Sequence, residues 1–272
     1  MPAKLADVDA HEGPVYVAEE DALYFTSVPA PAVAIKRLAL TTGEISVVRE
    51  DANKANGMTL APDGRLVVCE QGERRDRARI SLVDRRSGRA ETVVDDWNGR
   101  PFNSPNDVVV TGDGTIWFTD PSYGHLQGFR PPPQLDDVVY RHDPRTGETA
   151  VVASGFDKPN GLAFSPGERL LYVGDSGDLT HHIEAFDVVD GHVLARRRLF
   201  AVIESGYPDG LKVDRRGRVY SAGPSGVEVF EPGGRRIAAI AVPGAVNIAF
   251  GDGRIYITAD TAVWSAPIPE EA

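Results

Sequence analysis

Five residues with side-chain oxygens occupy the same place in a recurring phrase: Glu12 in EGPVYV, Asn56 in NGMTLA, Asn106 in NDVVVT, Asn160 in NGLAFS and Asp209 in DGLKVD. Each stands just ahead of an apolar run, and Gly13, Gly57, Gly161 and Gly210 follow four of them. A sixth phrase, VNIAFG, opens on Val246. If the phrases hold equivalent places in the fold, their openers converge. Two carboxylates and several carboxamide oxygens then form a donor set for a hard divalent cation; calcium takes about six to eight oxygen ligands. Histidine and cysteine are missing from the set, which speaks against a structural zinc or copper site. The glycines allow close backbone approach to a common centre. Any single opener also reads as a strand-end cap, a frequent use of Asn and Asp. Their recurrence in register favours the metal site.

The elements that position these residues are hairpins. NGLAFSPGERLLYV, beginning at Asn160, is an alternating strand, a turn and a second strand, and the other phrases repeat it. A further hairpin follows most of them, as in IKRLALTTGEISVV from Ile35 and VVYRHDPRTGETAVV from Val138. The openers recur at spacings of 37 to 54 residues. Four short strands per repeat of about this length describe the blade of a β-propeller. Six openers predict an all-β, six-bladed β-propeller with four antiparallel strands per blade, spanning 1–272 as a single domain. After Ile257 the chain holds only one more strand, so Leu5–Val8 is expected to complete the last blade and close the ring. In such a ring each blade's innermost strand begins at one end of the central channel, which places the openers around it.

The blocks HEGPVY, ANGMTLAPDGRLVVCEQG, FNSPNDVVVTGDGTIWFTDPSYG, KPNGLAFSPGERLLYVGDSG and YPDGLKVDRRGRVY resemble the gluconolactonase-like family that includes regucalcin, from about Glu12 to Ile257. The resemblance implies a six-bladed propeller hydrolase that holds one divalent cation in its channel and opens the lactone ring of sugar acids. It places the metal ligands on Glu12, Asn160 and Asp209, and makes Asp209 the catalytic base or nucleophile. Asn106 matches an asparagine that contacts substrate in the sugar lactonases and the metal in the related diisopropyl-fluorophosphatase. Asn103, in FNSPND, is read as an additional substrate contact, with a strand-end cap as the equal alternative. Calcium is the favoured ion, with zinc, manganese, magnesium and iron(II) as alternatives. Regucalcin-type members carry an arginine two residues before Asn106, where this chain has Ser104; Arg100 lies further upstream.

Two rival functions stand beside a metal-dependent sugar lactonase: another ester or organophosphate hydrolase on the same scaffold, and a non-enzymatic calcium-binding propeller. A net charge of -11 argues against nucleic acid or an anionic membrane as partner. The single cysteine, Cys69, excludes an intrachain disulfide and reads as a core residue. MPAKLADVDAHEGP reads as lacking a secretory leader, so a cytoplasmic place in carbohydrate metabolism is expected. Nothing in the sequence signals an oligomeric state. Tyr123 and His125 lie in a long loop and read first as exposed loop residues, with a roof over the channel mouth as the alternative. The run GERRDRAR from Gly72 reads as a solvated loop, with substrate contact by Gln71 or Arg74 as the alternative. His181 and His182, adjacent on a strand, face opposite ways and read as structural. Ser176 lacks the strand–turn–helix motif of a nucleophilic serine.

Overall fold

The computed structural model describes residues 1–29, 32–73 and 76–269, so Arg74 lies outside the described residues. Its strands assemble into six four-stranded antiparallel sheets. The first five take consecutive strands within 15–49, 55–94, 108–153, 159–202 and 211–240. The first strands of successive sheets touch one another around a full circle, which makes the sheets blades of a propeller. In the sixth blade Asn247–Gly251, Arg254–Thr258 and Asp260–Pro267 are completed by the N-terminal strand Ala3–Ala10, paired antiparallel to the last of them. The two ends of the chain therefore close the ring.

The core divides into six apolar clusters, one between each pair of neighbouring blades. Side chains alternate across a strand, and every inner strand is covered on both faces. Leu66 and Val68 therefore pack towards the first blade while Val67 and Cys69 pack towards the third. Burial on both faces explains why LVVCE shows no polar alternation, and why Cys69 is a core residue. Three features depart from the simple repeat. A two-stranded hairpin pairs Asp96–Trp97 with Arg100–Pro101, and one turn of helix, Tyr123–Leu126, interrupts the loop after the third blade's second strand. The fourth blade has strands of eight, ten and ten residues where five is usual, so its middle hairpin extends beyond its neighbours. Among the described residues no helix is long and apolar enough to cross a membrane.

Candidate metal-binding hydrolytic site

At one end of the channel a cavity of about 360 Å³ is lined by Glu12, Asn56, Asn106, Asn160 and Asp209, together with residues of the surrounding loops. Backbone pairing sets this ring. Asn106, Asp209 and Val246 each donate their amide to the end of the neighbouring second strand, at Thr119, Ala222 and Thr258. The opener carbonyls then tie blade to blade, since Gly57 donates to Asn106 and Gly210 to Val246. Gly161 and Gly210 are required by space: a Cβ on Gly161 would meet the Asp209 backbone, and one on Gly210 would overlie the Asn247 side chain. Threonines brace the same seams. Thr26 donates to the Asn56 carbonyl at 3.3 Å and Thr119 to that of Asn160 at 2.8 Å.

Two details of the ring differ from the simple sequence register. By its backbone bonds His11, which donates to Thr26, is the counterpart of Asn106, and Glu12 stands one step further along. At that further step the sixth blade supplies Asn247 and the third supplies Asp107, both fully enclosed. Asn247 Nδ2 donates to Glu12 Oε2 at 2.6 Å, and the Gly13 amide donates to the same oxygen at 3.0 Å. Val246 itself is buried, so the polar contribution of the sixth blade comes from its neighbour. Asp107 lies 3.8 Å from Lys212 Nζ, and burial raises its proton affinity. Neither Asn247 nor Asp107 was singled out from the sequence; a polar residue inside VNIAF and an acid where other phrases have glycine were the available signals.

The electrostatics of the ring are unfavourable as they stand. Glu12 and Asp209 are both pushed towards the protonated form, first by removal from water and then by other acids, Asp107 among them. Asn160 opposes this at Asp209, donating Nδ2 to Oδ1 at 3.0 Å; the same amide nitrogen is 3.4 Å from the Tyr123 hydroxyl. With its nitrogen so engaged, Asn160 Oδ1 is left without a partner, and the buried Oδ1 atoms of Asn56 and Asn106 are in the same condition. Orphaned buried carbonyl oxygens are costly. Two carboxylates destabilised by burial and by neighbouring acids, among three orphaned amide oxygens, fit a hard divalent cation, which relieves both defects. Among the described residues no three His, Cys, Asp or Glu side chains group to hold a metal, so any ion in this ring depends on amide oxygens.

The surrounding side chains sort themselves. Asn103 does not line the cavity; its Nδ2 meets the carbonyls of Asp120, Leu135 and Asp136 at 3.2–3.3 Å, which is the cap alternative. Asp120 accepts the amides of Asn103 and Ser104 at 2.9 and 2.8 Å, and Asp175 holds those of Asp157 and Lys158 in the same way. These carboxylates clamp the approach to Asn106 and Asn160. Ser104 is buried, donates to the Pro121 carbonyl and accepts the Gly124 amide, so the loop after residue 120 closes over it. Arg100 sits in the small hairpin and does not line the cavity. Tyr123, Gln127 and Gln71 line it, whereas His125 does not. His181 also lines it, with its ring 6.3 Å from that of Tyr207, a correction to the structural reading of this residue. His182 faces away, with Nε2 3.2 Å from Glu184. The Ser176 hydroxyl donates to the Pro208 carbonyl, which leaves it unsuited to nucleophilic attack.

Comparison with known proteins places this geometry in a wider group. The family described as SMP-30/Gluconolactonase/LRE-like region matches residues 10–261. A gluconolactonase of Zymomonas mobilis is 30% identical over 86% of this chain and 70% of its own length. The lactonohydrolase oryL of Aspergillus oryzae is 28% identical over 89% of this chain and 63% of its own. Among solved structures, a gluconolactonase of Xanthomonas campestris superposes with a TM-score of 0.89 at 35% identity, covering 98% of this chain and 89% of that one.

Proposed function

Because the chain belongs to the SMP-30/gluconolactonase/LRE-like family, we propose that it is a metal-dependent hydrolase that opens sugar lactones in its central channel. The observation that carries this reading is the convergence of two buried acids and three orphaned amide oxygens on one cavity. Glu12, Asn160 and Asp209 would hold one divalent cation, calcium before smaller ions for an all-oxygen set. When bound, such an ion supplies Lewis-acid stabilisation of the charge that develops on the lactone carbonyl oxygen.

The chain's own residues do the rest. The Asp209 carboxylate, whose proton affinity burial has raised, takes a proton from the attacking water. Water oxygen bonds to the carbonyl carbon, the ring ester bond breaks, and the former ring oxygen leaves as a hydroxyl carrying the proton that Asp209 returns; the new carboxylic acid then ionises. Asn106 and Tyr123 orient the sugar hydroxyls at the cavity wall. Asn103 contributes by fixing the loop that leads into Asn106. Residues 1–272 act as a single domain in this reading, because the sixth blade needs both ends of the chain.

Hydrolysis of D-glucono-1,5-lactone, followed by acid release with a pH indicator, tests the proposal. Activity is expected to vanish with chelator and return with calcium. Asp209→Asn is expected to lower kcat by at least about a hundredfold. Full activity in chelator would remove the ion from the mechanism, and near wild-type turnover by the variant would remove the base. Turnover of organophosphates or simple esters in place of lactones would favour a different hydrolase.

A further inference from the structure

Residues 121–137 leave the third blade after Asp120, form one turn of helix at Tyr123–Leu126, and return at Val138. Tyr123 and Gln127 from this stretch line the channel cavity, and the Tyr123 hydroxyl reaches the Asn160 amide. A connection this long with one helical turn has little regular structure to hold it in place. Ser104 ties its start at Pro121 and Gly124, Asn103 ties its end at Leu135 and Asp136, and one side chain ties its middle. Arg130 donates Nε to the Asn103 carbonyl at 3.1 Å and Nη2 to that of Phe102 at 3.2 Å. Its Nη1 donates to the carbonyls of Glu73 and Asp76 at 2.9 and 2.8 Å.

The four acceptors belong to two blades. Glu73 and Asp76 follow the second blade's Leu66–Glu70 strand, and residues 102 and 103 lead into the third blade's opener at Asn106. The arginine's own segment folds back on itself, with the Phe129 and Arg130 amides donating to the Gly124 carbonyl at 3.0 and 2.9 Å. Gly124 leaves the room: a Cβ there would overlap the Arg130 stem. A planar guanidinium with five donors can serve four carbonyls at once, whereas an ammonium is a point charge with three.

We propose that Arg130 is a positioning residue. It latches residues 121–137 to the rims of the second and third blades, and so holds Tyr123 and Gln127 as the wall against which the substrate is seated. The kinetic consequence rests on the lactonase reading; the latch does not.

The test uses the full chain carrying Arg130→Lys, which keeps the charge and the aliphatic stem. Hydrogen–deuterium exchange is read segment by segment alongside lactone kinetics. Amides of 121–130 are expected to exchange at least about tenfold faster in the variant, with the blades unchanged. KM is expected to rise about tenfold while kcat stays within about twofold, because bound substrate restores the wall. Unchanged exchange in 121–130, or faster exchange spread over the whole chain, overturns the latch. Local loosening with KM unaltered overturns the positioning role. A wild-type protein inactive on every lactone defeats the lactonase reading alone, and the exchange data still decide the latch.

Discussion

Asn160 offers an oxygen without a charge, and replacing it with aspartate tests why. Asn160→Asp preserves the shape of the side chain but turns the donor 3.0 Å from Asp209 Oδ1 into a second acceptor. Two like charges at that 3.0 Å separation repel by about 5 kcal/mol at an effective dielectric constant near 20. Proton uptake by one of the acids relieves much of this. The lost hydrogen bond and the enforced protonation leave a cost of about 2–3 kcal/mol in the metal-free protein. For a chain of this size that lowers the melting temperature by about 5–10 °C. With calcium the sign reverses, because a third carboxylate adds to the attraction for the ion. Thermal melts in chelator and in millimolar calcium therefore separate the two effects. The variant is expected to melt below wild type in chelator and to gain more than wild type from calcium. Equal melting in chelator, or indifference of both proteins to calcium, would return Asn160 to the role of a strand-end cap.

Two further outcomes follow from the same packing. Burial alone would raise the pKa of Glu70, but Ser81, Arg49, Arg79 and Asn53 donate to its carboxylate and hold it below the usual range. Its stabilising contribution is therefore complete above about pH 4.5 and is lost as pH falls through the lower folded value. Glu70→Gln should cost about 3 kcal/mol at neutral pH by leaving two arginines uncompensated, and should flatten the acid limb of a stability–pH profile. Gly210→Ala forces a methyl group into the Asn247 side chain, which holds Glu12. A loss of about 1–3 kcal/mol is expected from denaturant titration, with loss of lactone turnover beyond what the unfolded fraction explains.

The ring was legible because its members recur in register at the start of equivalent hairpins, and six phrases counted six blades. The closing strand was legible for the same reason, since one blade was a strand short and the N-terminus had one to spare. Glu12 was found, but its one-step offset was not, because the bulge that carries Glu12 past the other openers is visible only in the backbone pairing with Thr26. Asn247 and Asp107 escaped because each sits where the alternation calls for a small or apolar residue. Their partners, Glu12 and Lys212, come from other blades. The threonine braces were written at matching strand ends, in YFT and WFT, but what they hold is a carbonyl of the next blade. For Asn103 the phrase FNSPND leaves a channel contact and a strand-end cap equally open, and three loop carbonyls claim its amide nitrogen. Alternation shows that His181 and His182 face apart, but not which one faces the channel. Register decides it: His181 pairs with Ser176, which also lines the cavity, and His182 pairs with Asp175, which does not.

Glu12, Asn160 and Asp209 are proposed to hold a cation that the reaction needs. A crystal structure of the protein grown with calcium tests it most directly. One ion is expected at the channel centre, with oxygens of all three residues at ~2.3–2.6 Å. A channel free of metal at saturating calcium, in a protein that still hydrolyses lactone in chelator, would contradict it.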